Sequence, residues 1–127
     1  MRLSEHQRIF SHHIAKLIIF AYDNGIELTF GEGYRTIDQQ SLYYHGKSIK
    51  EDDGTLQLID SKKRTKTMRS KHLERLAVDF NFFINGKLTY KLEDVRILGE
   101  YWESLDERNE SGMFWNFYDA PHFQRNK

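Results

Sequence analysis

Apolar residues recur at helical spacing over residues 4 to 24, where Ile9, Phe10, Ile14, Leu17, Ile18 and Ala21 fall on one side of a helical wheel. Ser4 with Gln7 has the form of a capping box, and Gly25 supplies the stop. "IELTF" then reads as a short strand, broken by "GEG" before Tyr34 and Arg35. Thr36 with Gln39 repeats the capping pattern for a second helix that runs to about His45 and ends at Gly46. From Ala77 the period changes to two. In "AVDFNFFI" the residues Val78, Phe80 and Phe82 share one face, with Asp79, Asn81 and Phe83 on the other. Asn85-Gly86 is the strongest short hairpin signal in the chain, and "KLTY" is its return strand. Leu92, Val95, Leu98, Trp102 and Leu105 mark the inner face of a third helix, and "MFWNFYDAPHFQ" reads as an aromatic strand running into a proline turn.

The order helix, strand, helix, hairpin, helix, strand predicts an α+β fold with a small antiparallel sheet and helices packed on it. At 127 residues the chain is expected to be one domain spanning 1–127. Between the second helix and the long strand, residues 46 to 69 are polar, with "EDDG", a weak strand pair around "TLQLI", and then "SKKRTKTMR". That is long for a connection inside a small domain, which points to a functional or mobile loop.

Composition changes the picture in two ways. Nine Phe, seven Tyr and two Trp argue against disorder despite a charged content of 30%. The absence of cysteine excludes both disulfides and thiolate metal sites, so any zinc must be held by histidine and carboxylate. Lys and Arg balance Asp and Glu at 19 each, so no global field favours nucleic acid, and none is expected as a partner. "LIIFA" is too short to span a bilayer and does not follow a basic leader, so neither a membrane span nor a signal peptide is expected, and the chain should be made in the cytoplasm.

The candidate chemistry sits in "SKHLERLAVDF", where His72 precedes Asp79 by seven positions. On one straight strand an odd separation sends the two side chains to opposite faces, so they converge only if the chain bends at "LERL". Without such a bend they are a surface histidine and an exposed strand residue. A catalytic zinc takes three protein ligands and an open position. His122, after Pro121 in "DAPHF", is the best third candidate, with Asp119 three residues before it as a carboxylate able to accept a proton. His6, His12 and His13 read as a solvated helix face, and His45 as a cation closing a helix. By size alone Tyr34, Trp102 and Trp115 read as core aromatics. The run "SKKRTKTMRSK" is either a solvated loop or an attractor of an anionic polymer.

Taken together these residues resemble the zinc peptidases of peptidoglycan that group VanX/VanY-like D-Ala-D-Ala carboxypeptidases with L-alanyl-D-glutamate endopeptidases of the phage endolysin type. The resemblance rests on Ser70, His72, Ala77 and Asp79 as S-x-H-x-x-G-x-A-x-D, on Asp119 and His122 as a late D-x-x-H, and on "GYR" followed by Gln39. It covers roughly residues 26 to 124. It implies a Hedgehog/DD-peptidase-like fold and a Zn²⁺ ion bound by His72, Asp79 and His122. It implies Asp119 as general base, Arg35 over the developing oxyanion, and Ser70, Gln39 and Tyr34 as substrate contacts. The implied substrates are peptidoglycan stem peptides, and the implied role is that of a monomeric phage lysis enzyme reaching the wall through a membrane lesion. Two positions depart from the pattern: Arg75 replaces the motif glycine, and Gln124 stands where many relatives carry an acid. The rival readings are a D-Ala-D-Ala carboxypeptidase with the same metal site, and a non-catalytic module that binds cell wall or nucleic acid through the basic loop.

Overall fold

The computed structural model describes all 127 residues. The first helix, α1 (Leu3–Asp23), leads into β1 (Glu27–Phe30) and α2 (Ile37–His45). A hairpin of β2 (Lys47–Asp52) and β3 (Thr55–Asp60) follows, and then β4 (Ala77–Ile84) and β5 (Lys87–Thr89). The chain closes with α3 (Leu92–Leu105), β6 (Asn109–Ser111) and β7 (His122–Arg125). This is the α+β architecture that the change of period predicts. β4 is the spine of a five-stranded antiparallel sheet, with β1 along one edge and β7 and β5 following one another along the other; β6 lies outside β7.

Alternation along β4 separates two faces. Val78, Phe80 and Phe82 point at the helices and are buried with Phe123 of β7, Phe10, Leu17 and Ala21 of α1, and Val95, Leu98 and Trp102 of α3. Each large side chain withdrawn from water in this way contributes about 1.5–3 kcal/mol. Trp102 sits among the rings of Phe10 and Phe123 at near-perpendicular angles, and its indole N–H donates to the carbonyls of Glu110 and Gln124. Asp79 points the other way, so the helices cover one side of the sheet and the candidate chemistry lies on the opposite side.

Several local expectations are changed. α1 begins one residue before Ser4, and Gln7 caps nothing: its amide donates to the carbonyl of Glu74, tying the helix to the turn that carries His72. The region read as one aromatic strand, 113–124, is the end of a 3-10 turn, an irregular loop and the start of β7, with Phe117 and Tyr118 exposed. The weak strand pair is a regular hairpin turned at Asp53-Gly54, where both residues have positive φ. It forms a separate two-stranded sheet with Ile49, Leu56 and Leu58 on its surface.

His6 is buried, not solvated, because Arg125 needs it. The Arg125 guanidinium is 2% exposed, donates from Nε to His6 Nδ1 at 3.2 Å, and faces Asp106 Oδ2 at 3.0 Å. Burial, then the nearby charges of Arg125, Arg108 and the amino terminus, push His6 below its ordinary value; Glu5 opposes this weakly. A histidine kept neutral in the fold takes up its proton only in the unfolded chain once pH falls below 6.5. Stability is therefore expected to fall as pH drops from 7 to 5. The variant His6→Gln keeps an acceptor for Arg125, and its melting temperature should fall less over that interval. An identical pH slope in the two proteins would refute the assignment.

Candidate metal centre

The bend that strand alternation demanded is present. Residues Lys71–Glu74 form one 3-10 turn, capped at its start by the Ser70 hydroxyl, which accepts from the His72 N–H at 3.2 Å. Arg75 ends the turn in the left-handed region at φ 58°, and the chain enters β4 two residues later. That conformation explains why a glycine suits this position. In Arg75 the guanidinium lies 4.0 Å from the centre of the Tyr34 ring. The left-handed backbone costs about 1 kcal/mol and the cation–π contact returns about 0.5–1 kcal/mol. Arg75→Gly should therefore change unfolding free energy by less than about 0.5 kcal/mol and leave metal content unaltered, as checked by urea titration and metal analysis.

β7 supplies the second convergence. Asp79 and His122 are direct cross-strand partners, so their side chains rise side by side from the same face. The donor atoms of His72, Asp79 and His122 all lie within 4.8 Å of one another. Asp79 Oδ1 stands 3.4 Å from His72 Nε2 and 3.3 Å from His122 Nδ1. At these separations neither contact is an aligned hydrogen bond, and Oδ1 is a buried oxygen with no hydrogen-bond partner. Burial opposes the charge on Asp79, but the facing imidazoles of His122 and His72 outweigh it and hold the carboxyl well below the usual carboxylate range.

The outer nitrogen of each imidazole is engaged. His72 Nδ1 lies 2.7 Å from the carbonyl of Gly33, and His122 Nε2 lies 2.8 Å from Gln124 Oε1. With an ion bound, each acceptor would take the outer N–H of its ring and leave the inner nitrogen free of hydrogen to bind the metal. Gln124 thus does with a neutral oxygen what an acid at this position would do with a charge. Its amide N–H groups donate to Glu110 and Asn126, which fixes which way it points. A buried orphan oxygen facing two aimed imidazole nitrogens is a donor set that suits a zinc-sized cation.

The "GEGYR" segment runs alongside the first motif, on the edge of β4 opposite β7. The Gly31 N–H donates to the Asp79 carbonyl and the Arg35 N–H to that of His72. A Cβ added at Gly31 would stand 3.2 Å from the Asp79 Cβ, so the approach depends on the missing side chain. Arg35 is clamped in place: Nε pairs with Glu32, one terminal nitrogen donates to Gln40 Oε1 at 2.8 Å, and Tyr43 lies beneath at 4.9 Å.

Asp119 lines the same cleft. Its loop is folded back on Gly112, whose carbonyl accepts the Asp119 N–H at 2.9 Å. A Cβ at Gly112 would fall 2.2 Å from the Asp119 carbonyl oxygen, so no other residue fits there without moving the loop. Burial pushes the Asp119 carboxyl above its ordinary value.

The structure therefore gathers Arg35, Ser70, His72, Asp79, Asp119 and His122 on one cleft of about 830 Å³. Gln39 is not among them: it lines a separate pocket, and its neighbour Gln40 is the buried residue that meets Arg35. Tyr34 is exposed, lies under Arg75 and stays outside the cleft lining. Trp115, expected in the core, instead lines the cleft with its ring 5.0 Å from that of His122. Sequence reasoning also missed Glu32 and Gly112; the only signal for either was the glycine pattern itself.

No family model matches the chain, and no curated protein matches it. Among solved structures the chain is similar to the Serratia marcescens L-Ala D-Glu endopeptidase ChiX. The identity is 20%, the TM-score is 0.64, and the match covers 98% of this chain and 86% of that one. At that identity the likeness establishes a shared fold.

Proposed function

We propose that the protein is a zinc-dependent peptidase that cleaves stem peptides of bacterial cell wall, of the L-alanyl-D-glutamate endopeptidase type, and that it serves in phage lysis. The observation that carries the reading is the donor set: two imidazoles with their outer nitrogens already bonded, converging on a buried carboxylate oxygen that has no partner. The shared fold with an enzyme named as an L-Ala D-Glu endopeptidase supports it.

His72, Asp79 and His122 would hold the ion. When bound, zinc lowers the pKa of a water molecule and polarises the scissile carbonyl. Asp119 takes the proton of the attacking water and returns it to the departing amine. A carboxyl lifted by burial suits both transfers, since it binds the proton more readily than an exposed one would. Arg35 donates to the oxygen on which charge develops. Because Glu32, Gln40 and Tyr43 already fix its guanidinium, little reorganisation is needed as that charge appears.

The test combines metal analysis of the purified protein with mass analysis of peptides released from cell wall. The expected result is about one zinc per chain, with cleavage between L-alanine and D-glutamate that a chelator stops. Release of terminal D-alanine alone would assign the carboxypeptidase reading instead. A protein that holds no zinc and whose wall digestion ignores a chelator is not a metallopeptidase.

A further inference from the structure

The segment from Ser61 to Lys71 forms one wall of the cleft, contributing Arg64, Thr65, Thr67, Met68, Arg69, Ser70 and Lys71 to its lining. Elsewhere on the lining Glu32 pairs with Arg35 and Glu74 with Lys127 at 3.2 Å, while the Asp119 carboxylate makes no ion pair. Arg64, Arg69 and Lys71 pair with no carboxylate, although each borders the cleft. Arg64 and Arg69 are exposed and Lys71 half-buried, so this wall presents positive charge to an anionic group entering the cleft.

The wall is also anchored. Gln40 is fully buried, and its amide N–H donates to the Thr67 carbonyl at 2.6 Å while its oxygen accepts from Arg35. The Arg64 N–H donates to the Tyr43 carbonyl at 3.1 Å, and the Arg64 guanidinium lies 5.5 Å from the Tyr43 ring. One glutamine thus ties the cationic wall to Arg35.

We propose that Arg64, Arg69 and Lys71 form a subsite for free carboxylates of the substrate peptide, and that the protein selects stem peptides with unmodified acidic residues over the same peptides with those carboxyls amidated. The inference rests on the peptidase reading above for the identity of the substrate. A γ-linked D-glutamate keeps its α-carboxylate close to the alanyl bond. Conversion to the carboxamide preserves the shape and removes the charge, so amidation isolates the electrostatic contribution.

The probes are two synthetic peptides, L-alanyl-γ-D-glutamyl-L-lysine and its D-isoglutamine counterpart. Binding is measured by calorimetry on the zinc-loaded full chain carrying Asp119→Ala, and hydrolysis on the unsubstituted protein. The acid peptide should bind about tenfold more tightly at low salt. The preference should shrink as salt reaches about 0.5 M, where screening shortens the range of each charge. In a background that also carries Arg64→Gln, Arg69→Gln and Lys71→Gln, the ratio should fall to about one. Equal binding of the two peptides before those three substitutions, or a preference that survives them, overturns the proposal. Hydrolysis of both peptides at the same rate with equal binding would leave the peptidase reading standing and remove this one. Discrimination without hydrolysis of either would do the reverse.

Discussion

Asp119→Ala is expected to lower kcat for stem-peptide hydrolysis by a factor of about 10²–10⁴, with KM little changed and zinc still at about one per chain. The separation follows from how the residue is held. The backbone of Asp119, not its side chain, maintains the loop: its N–H bonds Gly112, and its carbonyl accepts the N–H of His122 at 3.1 Å. Truncation therefore leaves His122 where it is. What disappears is a half-buried carboxyl on the cleft lining whose pKa burial pushes above its ordinary value. At about 1.4 kcal/mol per factor of ten, such a loss amounts to about 3–5.5 kcal/mol of transition-state stabilisation. Single-turnover rates and metal content measured on the same preparation decide the matter. A rate loss below tenfold, or a loss of zinc in parallel, would mean that Asp119 is not the proton carrier.

The second large effect is on metal-linked stability. Asp79→Ala should abolish zinc binding and with it the stabilisation that zinc confers. A ligand present at a thousandfold over its dissociation constant stabilises a fold by about 4 kcal/mol. The unsubstituted protein should melt several degrees higher with zinc than with chelator, and the variant at one temperature in both. Asp79 is the residue to remove because it is the shared partner: both imidazole nitrogens face its Oδ1, and the two histidines meet at an edge-to-face angle of 75° with the carboxylate between them. Without metal, the same substitution deletes a buried oxygen that has no hydrogen bond, so the apo fold should survive it. A zinc-dependent shift that persists in Asp79→Ala would place the ion elsewhere.

How far the sequence reveals this arrangement depends on which force fixes each part. Where burial and backbone conformation act together, the pattern is legible. β4 alternates because one face meets the helices, and Asn85-Gly86 turns because both residues take positive φ, as a tight hairpin requires. The His72–Asp79 relation is legible only as a condition, that the chain must bend; Arg75 in the left-handed region is how it bends. Where packing alone decides, the pattern fails. Adjacent glutamines at 39 and 40 differ only in which side of α2 they occupy, and only the assembled fold shows that Gln40 points inward. The aromatic density of residues 113 to 118 resembles a core strand, yet the loop is shaped by Gly112 against Asp119, a steric relation with no hydrophobic signature. The β2–β3 hairpin was barely visible for a related reason: it buries neither face, so no periodicity marks it.

That hairpin stands apart from the main sheet, and its two ends meet, with the Ser61 N–H donating to the Gly46 carbonyl at 2.8 Å. It enters and leaves the domain at a single point, between the helix that holds Gln40 and the wall that carries Arg64 and Arg69. A segment joined in this manner can lengthen, shorten or be exchanged without disturbing the strand pair that aligns Asp79 with His122. The hairpin and the strand pair that aligns Asp79 with His122 are thus free to diverge at different rates.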